Sequence, residues 1–379
     1  MGLPFDYAAR NLGRRRLRTV LTASSAALVA ALLVGTTAFV RGMSGTFAGA
    51  ARDDVALLLS SAAEGDIVRS AVRADLAQLV QADVAGVLVA SGEVHMATNM
   101  RVEGDDTVLP GFVRGVTERA YAVHDALTLV EGRLPEPGEV IVGSLAAAQM
   151  GASPSDVAVG RTLRFEGAEF DIVGRFVAPG TTLEGEVWTP LAPLRGIVQR
   201  DDDSVVFVKL DAPRTFRDLD YYATRRVDLE VVARSSVEYY RQLSAYFQKI
   251  RAMAWVLAAL IAAAALFGGA NTMAAAVQDR VRELGTLRAL GYGGGAVARS
   301  LALESLLLCA SGGVLGLVLA RLTLSGGAVS LAMSAFALDV DAVAIVVGFA
   351  GSLVLGVLGV VPAAWRALRL PVAVALKED

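Results

Sequence analysis

The sequence predicts an α-helical integral membrane protein with four transmembrane helices and an α+β extracytoplasmic domain inserted between helices 1 and 2. Three observations lead there. Four stretches carry no charge: Thr19 to Val40, Ala252 to Gln278, Ser305 to Ala320 and Ala342 to Trp365. About 210 residues of mixed polarity separate the first from the second, long enough to form a core of their own. Arginines crowd some connections and avoid others. Hydrophobic residues make up 54% of the chain and mean hydropathy is +0.53, above the roughly 45–50% apolar content of soluble chains.

A hydrocarbon core of about 30 Å takes roughly 20 apolar residues as helix, because lipid offers no partner to a free backbone amide. Three of the runs reach that length alone. The third reaches it only if Glu304 or its neighbours lie at the headgroups. Lys and Arg stay on the cytoplasmic side. Arg10, Arg14, Arg15, Arg16 and Arg18 precede the first run; Arg280, Arg282, Arg288 and Arg299 lie between the second and third; Arg366, Arg369 and Lys377 follow the fourth. Both termini are therefore expected in the cytoplasm. The predicted organisation is a cytoplasmic N-terminus at 1–18, transmembrane helix 1 at 19–40, the extracytoplasmic domain at 41–251 with a stalk from about 236 to 251, transmembrane helix 2 at 252–277, a cytoplasmic coupling loop at 278–299, transmembrane helix 3 at 300–320, a short extracytoplasmic loop at 321–341, transmembrane helix 4 at 342–365 and a cytoplasmic tail at 366–379. A cleaved signal peptide is the rival for the first run, with Ala48, Gly49 and Ala50 as the site. A run of about 22 residues exceeds the usual ~7–15 of a signal core and favours an anchor.

Within the domain, Asp66 to Val80 has near-helical apolar spacing, with Asp66 as its cap. Val84 to Ala90, Glu93 to Val102, Val140 to Gly143, Thr162 to Glu166, Glu169 to Phe176 and Val205 to Leu210 read as strands. Glu166, Gly167 and Ala168 read as a hairpin turn, and Ser144 to Met150 as a short helix. Ser235 and Glu238 stand in capping-box spacing. If Ser236 to Val277 forms one helix, its about 42 residues span about 63 Å, twice a bilayer, and project as a stalk. Two helices with a bend are the alternative.

The chemistry of known catalytic motifs is missing. No G-x-x-x-x-G-K-[ST] loop occurs, and Lys209, Lys249 and Lys377 sit away from glycine-rich loops, so no ATPase of that kind is expected in this chain. There is no G-x-S-x-G elbow, and His95 and His124 with the lone Cys309 fall short of a metal set. Both histidines read as satisfied surface or core residues. No catalytic, cofactor-binding or metal-binding residue is assigned. The single cysteine lies inside the third run, so no disulfide supports the domain. Acid runs such as Asp201 to Asp203 read as solvated turns, and the dispersed basic residues give no nucleic-acid patch. Glu304 is expected to pair with Arg299 or Arg288 at the membrane edge. Gly312 and Gly316, and Gly348, Ser352 and Gly356, have the spacing that lets membrane helices approach closely.

The connection Gln278 to Ser311 carries R-E-L-G-T-L-R-A-L-G, a short linker, then L-x-x-E-S-L-L-L and G-G-x-x-G. This order resembles the permease domain of the FtsX/MacB superfamily of ABC transporters. R-N-L-x-R-x-x-L-R-T-x-L-T from Arg10 and P-A-A-W-R-A-L-R-L-P-V-A-V-A-L from Pro362 are similar to the family's entry and tail. Leu129 to Gly143 with Val159 to Gly174 resembles its MacB-like periplasmic core. The triple glycine Gly293 to Gly295 departs from the pattern. The resemblance implies a permease of the bacterial inner membrane, multi-pass, which binds no cofactor itself. It implies a separate ABC ATP-binding subunit that uses ATP, a second permease copy or paralogue, membrane lipid, and a periplasmic adaptor in some relatives. Glu283, Leu284, Gly285, Leu287, Arg288, Leu290 and Gly291 are the residues expected to couple to the ATPase, as an amphipathic plug for a groove on that subunit. The function implied is export or mechanotransmission, with a scaffold activating a cell-wall hydrolase and a lipoprotein-releasing permease as the alternatives.

Overall fold

A computed structural model of the chain describes residues 16–104, 107–331 and 334–369. They separate into an α+β unit and a helical unit. In chain order the elements are α1 (Arg16–Ala50), β1 (Val55–Ser60), β2 (Val72–Arg73), α2 (Leu76–Asp83), β3 (Val87–Val102), β4 (Leu109–Val116), α3 (Glu118–Val123), β5 (Thr128–Gly132), β6 (Glu139–Gly143), α4 (Ala146–Met150), β7 (Thr162–Phe165), β8 (Ala168–Val177), β9 (Val187–Pro190), α5 (Leu191–Val198), β10 (Asp202–Asp203), β11 (Val205–Leu210), α6 (Phe216–Arg225), β12 (Val231–Ser235) and α7 (Ser236–Tyr246). They continue as α8 (Gln248–Gln278), α9 (Val281–Ala289), α10 (Gly294–Leu324), β13 (Ala328–Leu331), β14 (Ser334–Ala337) and α11 (Ala342–Arg369).

The α+β unit is organised by a sheet in the order β12-β1-β11-β3-β4-β9-β6-β8-β5, with β7 joining β3 and β8. Strand β3 is long because it serves two halves. Its first part pairs with β11, from Leu210↔Val87 to Val205↔Glu93, and its second with β4, from Val94↔Gly115 to Met100↔Leu109. One core, around Leu58, Leu76, Val206 and Leu219, fills the first half. Another, around Val142, Leu163, Phe170 and Leu194, fills the second. The turn at Glu166 and Gly167 forms as expected, both residues at positive φ (49° and 77°), which matches the twist of the flanking strands.

Two expectations fail here. The Asp66 to Val80 helix does not form. Asp66 accepts instead from the Val68 amide at 3.0 Å, a local turn that competes with helix; β2 follows, and only Leu76–Asp83 is helical. The single helix from Ser236 to Val277 is interrupted. Ser235 caps α7 through the Glu238 amide, 3.2 Å away, but α7 ends at Tyr246. Phe247 is buried and its ring stacks on Phe47 with centroids 5.4 Å apart, so tertiary packing overrides an uninterrupted helical pattern. The β13–β14 hairpin, within a segment expected to be a plain loop, belongs to the α+β unit. Ala335 and Phe336 are buried, and Ala335 lies against Gly185.

In the helical unit, α1, α8, α10 and α11 each contain a stretch long and apolar enough to cross a membrane: Thr19–Ala50, Gln248–Ala275, Gly294–Leu324 and Ala342–Arg366. Small residues set the packing. A methyl group added at Gly312 or Gly316 would meet the carbonyl oxygens of Ala23 and Ala27 on α1, so these glycines are what lets α10 and α1 touch backbone to backbone. Ser305 Oγ on α10 donates to the Gly356 carbonyl on α11 at 2.8 Å. Asp341 caps α11, accepting from the Ala344 amide at 2.8 Å, and its other oxygen accepts from Arg41 Nε at 2.7 Å.

Candidate coupling site

The segment between α8 and α10 holds every residue expected to couple. Helix α9 starts where Leu284 N–H donates to the Arg280 carbonyl at 2.9 Å. It ends in a Schellman motif: Gly291 N–H to Arg288 O and Tyr292 N–H to Leu287 O, both 3.1 Å. The motif needs a residue with left-handed backbone after the cap, and Gly291 supplies it at φ +93°. Gly293 then caps α10, donor Ala296 N–H at 2.8 Å. Two of the three unusual glycines thus become the cap and first residue of that helix.

The seven residues divide between two environments. Leu284 and Gly285 are buried, and Leu284 joins Met273, Val277, Val297, Leu301, Val360 and Ala363 in one apolar cluster, with Leu287 packed against it. Arg288 is half-buried, while Glu283, Leu290 and Gly291 are exposed. Leu290 is 72% exposed, although a leucine of this length removed from water would gain roughly 1.5–3 kcal/mol. The amphipathic face therefore points into the chain's own bundle, and Leu290 is the apolar residue left facing out.

Beneath α9 lies an ion pair that corrects the expected one. Glu304 is held by Arg280, not by Arg299 or Arg288: Arg280 Nη1 to Glu304 Oε2 is 3.0 Å and Nη2 to Oε1 is 3.3 Å, with both residues 4% exposed. Arg280 sits between α8 and α9 and points inward, whereas Arg299 turns back to donate to the Gly295 carbonyl at 3.2 Å. A carboxylate buried here without a bidentate partner would be costly.

The α+β unit contains a polar constellation that the sequence reading did not assemble. Arg114 on β4 is 2% exposed. It donates to Glu186 twice, through Nε and Nη2 at 2.7 Å each, and to Glu93 through Nη1 at 2.6 Å. Trp188 Nε1 adds a bond to Glu186 at 2.8 Å, and the guanidinium lies 5.2 Å from the Trp188 ring and 5.5 Å from Phe207. His124 Nε2 lies 2.9 Å from Glu93 Oε1, and His95 Nε2 lies 3.3 Å from Oε2. Burial alone would raise the Glu93 carboxyl; His124 and Arg114 outweigh it and hold the group well below the usual carboxylate range. Burial, reinforced by Arg114, pushes His95 down to about 4. The one available signal was Glu93-x-His95 on a strand, whose period of two puts both on one face. Both histidines are satisfied by a carboxylate. Among the described residues no three His, Cys, Asp or Glu side chains converge as a metal site.

Two family profiles match: FtsX-like permease C-terminal over residues 255–372, and MacB-like periplasmic core domain over residues 19–219. The second alone spans more than half of the chain. No curated protein sequence matches. Among solved structures, the periplasmic region of MacB from Actinobacillus actinomycetemcomitans is similar at 13% identity and a TM-score of 0.40, covering 52% of this chain and 95% of that one. The extracellular domain of the noncanonic ABC-type transporter YknZ from Gram-positive bacteria aligns at 14% identity and TM-score 0.36, covering 48% and 98%. A domain of a putative permease protein from Porphyromonas gingivalis aligns at 17% and 0.35, covering 48% and 88%. With a periplasmic-core profile over the first apolar helix and most of the α+β unit, and a permease profile over the three apolar helices that follow, the chain belongs to the FtsX/MacB-like permease superfamily.

Proposed function

We propose that this chain is the permease subunit of an ABC transporter, in which a separate nucleotide-binding subunit hydrolyses ATP and α9 receives the resulting motion. In this reading the termini and α9 lie in the bacterial cytoplasm, the α+β unit lies outside the inner membrane, and two permease copies or paralogues form the working pair. The work is done on cargo already outside, as export or mechanotransmission, with or without a periplasmic adaptor. The observation that carries the reading is the division of α9. Leu284 and Leu287 fasten the helix to the bundle, while Glu283, Leu290 and Gly291 face outward, so a push on the exposed face moves the bundle with it. A plain headgroup anchor requires no such fastening.

The test is co-purification with the ATP-binding subunit, with turnover measured in vesicles. Alanine at Leu290 and Glu283 should weaken association and turnover while protein level stays unchanged. Alanine at Leu287 and Arg288 should uncouple turnover from cargo movement. Retention of association and turnover in the first variant, or of full cargo movement in the second, refutes the assignment of α9. Recovery of a cell-wall hydrolase instead of an adaptor or cargo protein selects the regulatory alternative.

A further inference from the structure

We infer that the end of the bundle where α8 meets α11 holds a binding site for an anionic, phosphate-headed phospholipid. A groove of about 300 Å³ lies there between the last turn of α8, the start of α9 and the last turns of α11, at the lower end of the range for small-ligand clefts. Its walls are of two kinds. Val277, Val281 and Ala363 are apolar, and Trp365, Arg366 and Arg369 rim the opening. The Arg369 guanidinium stacks 3.9 Å from the Trp365 ring centroid, which fixes the direction of its donors at small entropic cost. Among the described residues neither Arg366 nor Arg369 has a carboxylate partner, so two positive charges face the groove uncompensated.

The side of α11 leading to the groove identifies the occupant. Val343, Val346, Val354, Val357, Leu358, Val361 and Trp365 are all exposed, and at about 100° per residue they fall on one face of α11. A stripe of aliphatic side chains that ends in a tryptophan and then two arginines follows the polarity profile of a leaflet, from acyl chain through interface to phosphate. A protein partner would meet aliphatic residues along the whole helix; a free anion would have no use for them. A phospholipid matches both parts, its chain along the stripe and its phosphate between the arginines. The site is independent of the coupling assignment, since none of its residues is among those expected to touch the ATPase.

Brominated lipids test it with the full chain in nanodiscs, in a Trp255→Phe background, where Trp365 is the remaining lipid-facing tryptophan and Trp188 is buried. Brominated phosphatidylglycerol, present as a minor lipid in phosphatidylcholine, should quench Trp365 as if enriched on the order of 30-fold over brominated phosphatidylcholine at the same fraction, the preference two interfacial arginines confer. Arg366→Gln with Arg369→Gln should reduce that preference to about onefold while leaving quenching by brominated phosphatidylcholine intact, which shows the variant is still inserted. Equal quenching by the two lipids, or a preference that survives the substitutions, overturns the proposal. So does binding of inorganic phosphate, read as a change in Trp365 emission, with no preference between the two lipids, which would mark an anion site with no lipid. Absence of quenching by either lipid would place a protein, the ATPase or a second copy, on the groove and overturns it too.

Discussion

Replacing Arg114 by methionine should strongly destabilise the α+β unit. The side chain is buried and makes three charge-assisted bonds, two to Glu186 and one to Glu93. Methionine fills most of the volume, so the loss is electrostatic: two carboxylates remain in a protein interior with their main counter-charge gone. Breaking a buried pair from one side costs about 3–5 kcal/mol. For a domain of this size 1 kcal/mol corresponds to about 2–4 °C in Tm, so a drop of roughly 6–20 °C is expected at neutral pH. The assay is thermal unfolding of the full chain in detergent, followed by near-ultraviolet circular dichroism, in which Trp188 reports on the cluster. The loss should shrink as pH falls, because Glu93, once protonated, no longer needs the cation. Replacing Glu93 and Glu186 by glutamine together with Arg114→Met should recover part of the stability, since neutral amide oxygens still accept from His95, His124 and Trp188 without leaving a charge unpaired. A single-variant loss under about 1 kcal/mol, or a triple variant no better than the single, refutes the reasoning.

Four further outcomes are expected. Acid should destabilise the α+β unit through two groups of the same sign: Glu93, held low in the fold, loses its contribution as pH falls below the ordinary glutamate range. His95, lowered from 6.5 to about 4, stays neutral in the fold while the unfolded chain takes up a proton, so about 3 kcal/mol is lost between pH 6.5 and 4; His95→Phe should flatten that part of the stability profile. Arg280→Ala should lower the Tm of the detergent-solubilised chain by an amount corresponding to about 3–5 kcal/mol, and Arg280→Ala with Glu304→Ala should be milder than the single change. Gly312→Leu should separate α10 from α1 and abolish accumulation of folded protein in the membrane fraction, whereas Gly268→Leu, with open space around it, should be tolerated. Asp341→Ala removes the cap of α11 and should cost about 1 kcal/mol, read as a small fall in Tm.

What could be seen in the sequence was whatever depends on one segment at a time. Long apolar runs announce membrane helices because lipid forbids any other use of them, and Ser235 with Glu238 announces a helix start because a cap is made from neighbours. Edge effects were equally local: Glu166-Gly167 encodes its own turn. The rest depends on meetings between distant parts. Asp66 had the residue type of a cap, and nothing in the pattern around it said that its own Val68 amide would claim the carboxylate. The helix expected through Phe247 is broken by a ring 200 positions away in the chain, Phe47. Glu304 had Arg299 and Arg288 as its expected partners and pairs instead with Arg280, which lies at a helix junction facing inward.

The two buried charge sets share a feature that bears on how the chain works. Arg280 with Glu304 joins α10 to the α8–α9 junction; Arg114 with Glu93 and Glu186 joins β3, β4 and the start of β9. In each case a guanidinium holds segments that hydrophobic packing alone would leave free to slide, because a shift of even one residue unpairs a buried charge at a cost of several kcal/mol. Apolar contacts tolerate sliding far better than they tolerate separation. Each unit is thereby stiffened against shear at one internal seam. Under the proposed function, passing on force without forming a solute pathway requires that kind of stiffness, and neutral substitutes at either seam should then leave a folded protein that supports ATP hydrolysis by its partner but transmits less of the motion. If Arg280→Met with Glu304→Leu restored stability and also kept full cargo movement, stiffness at that seam would not be part of the mechanism.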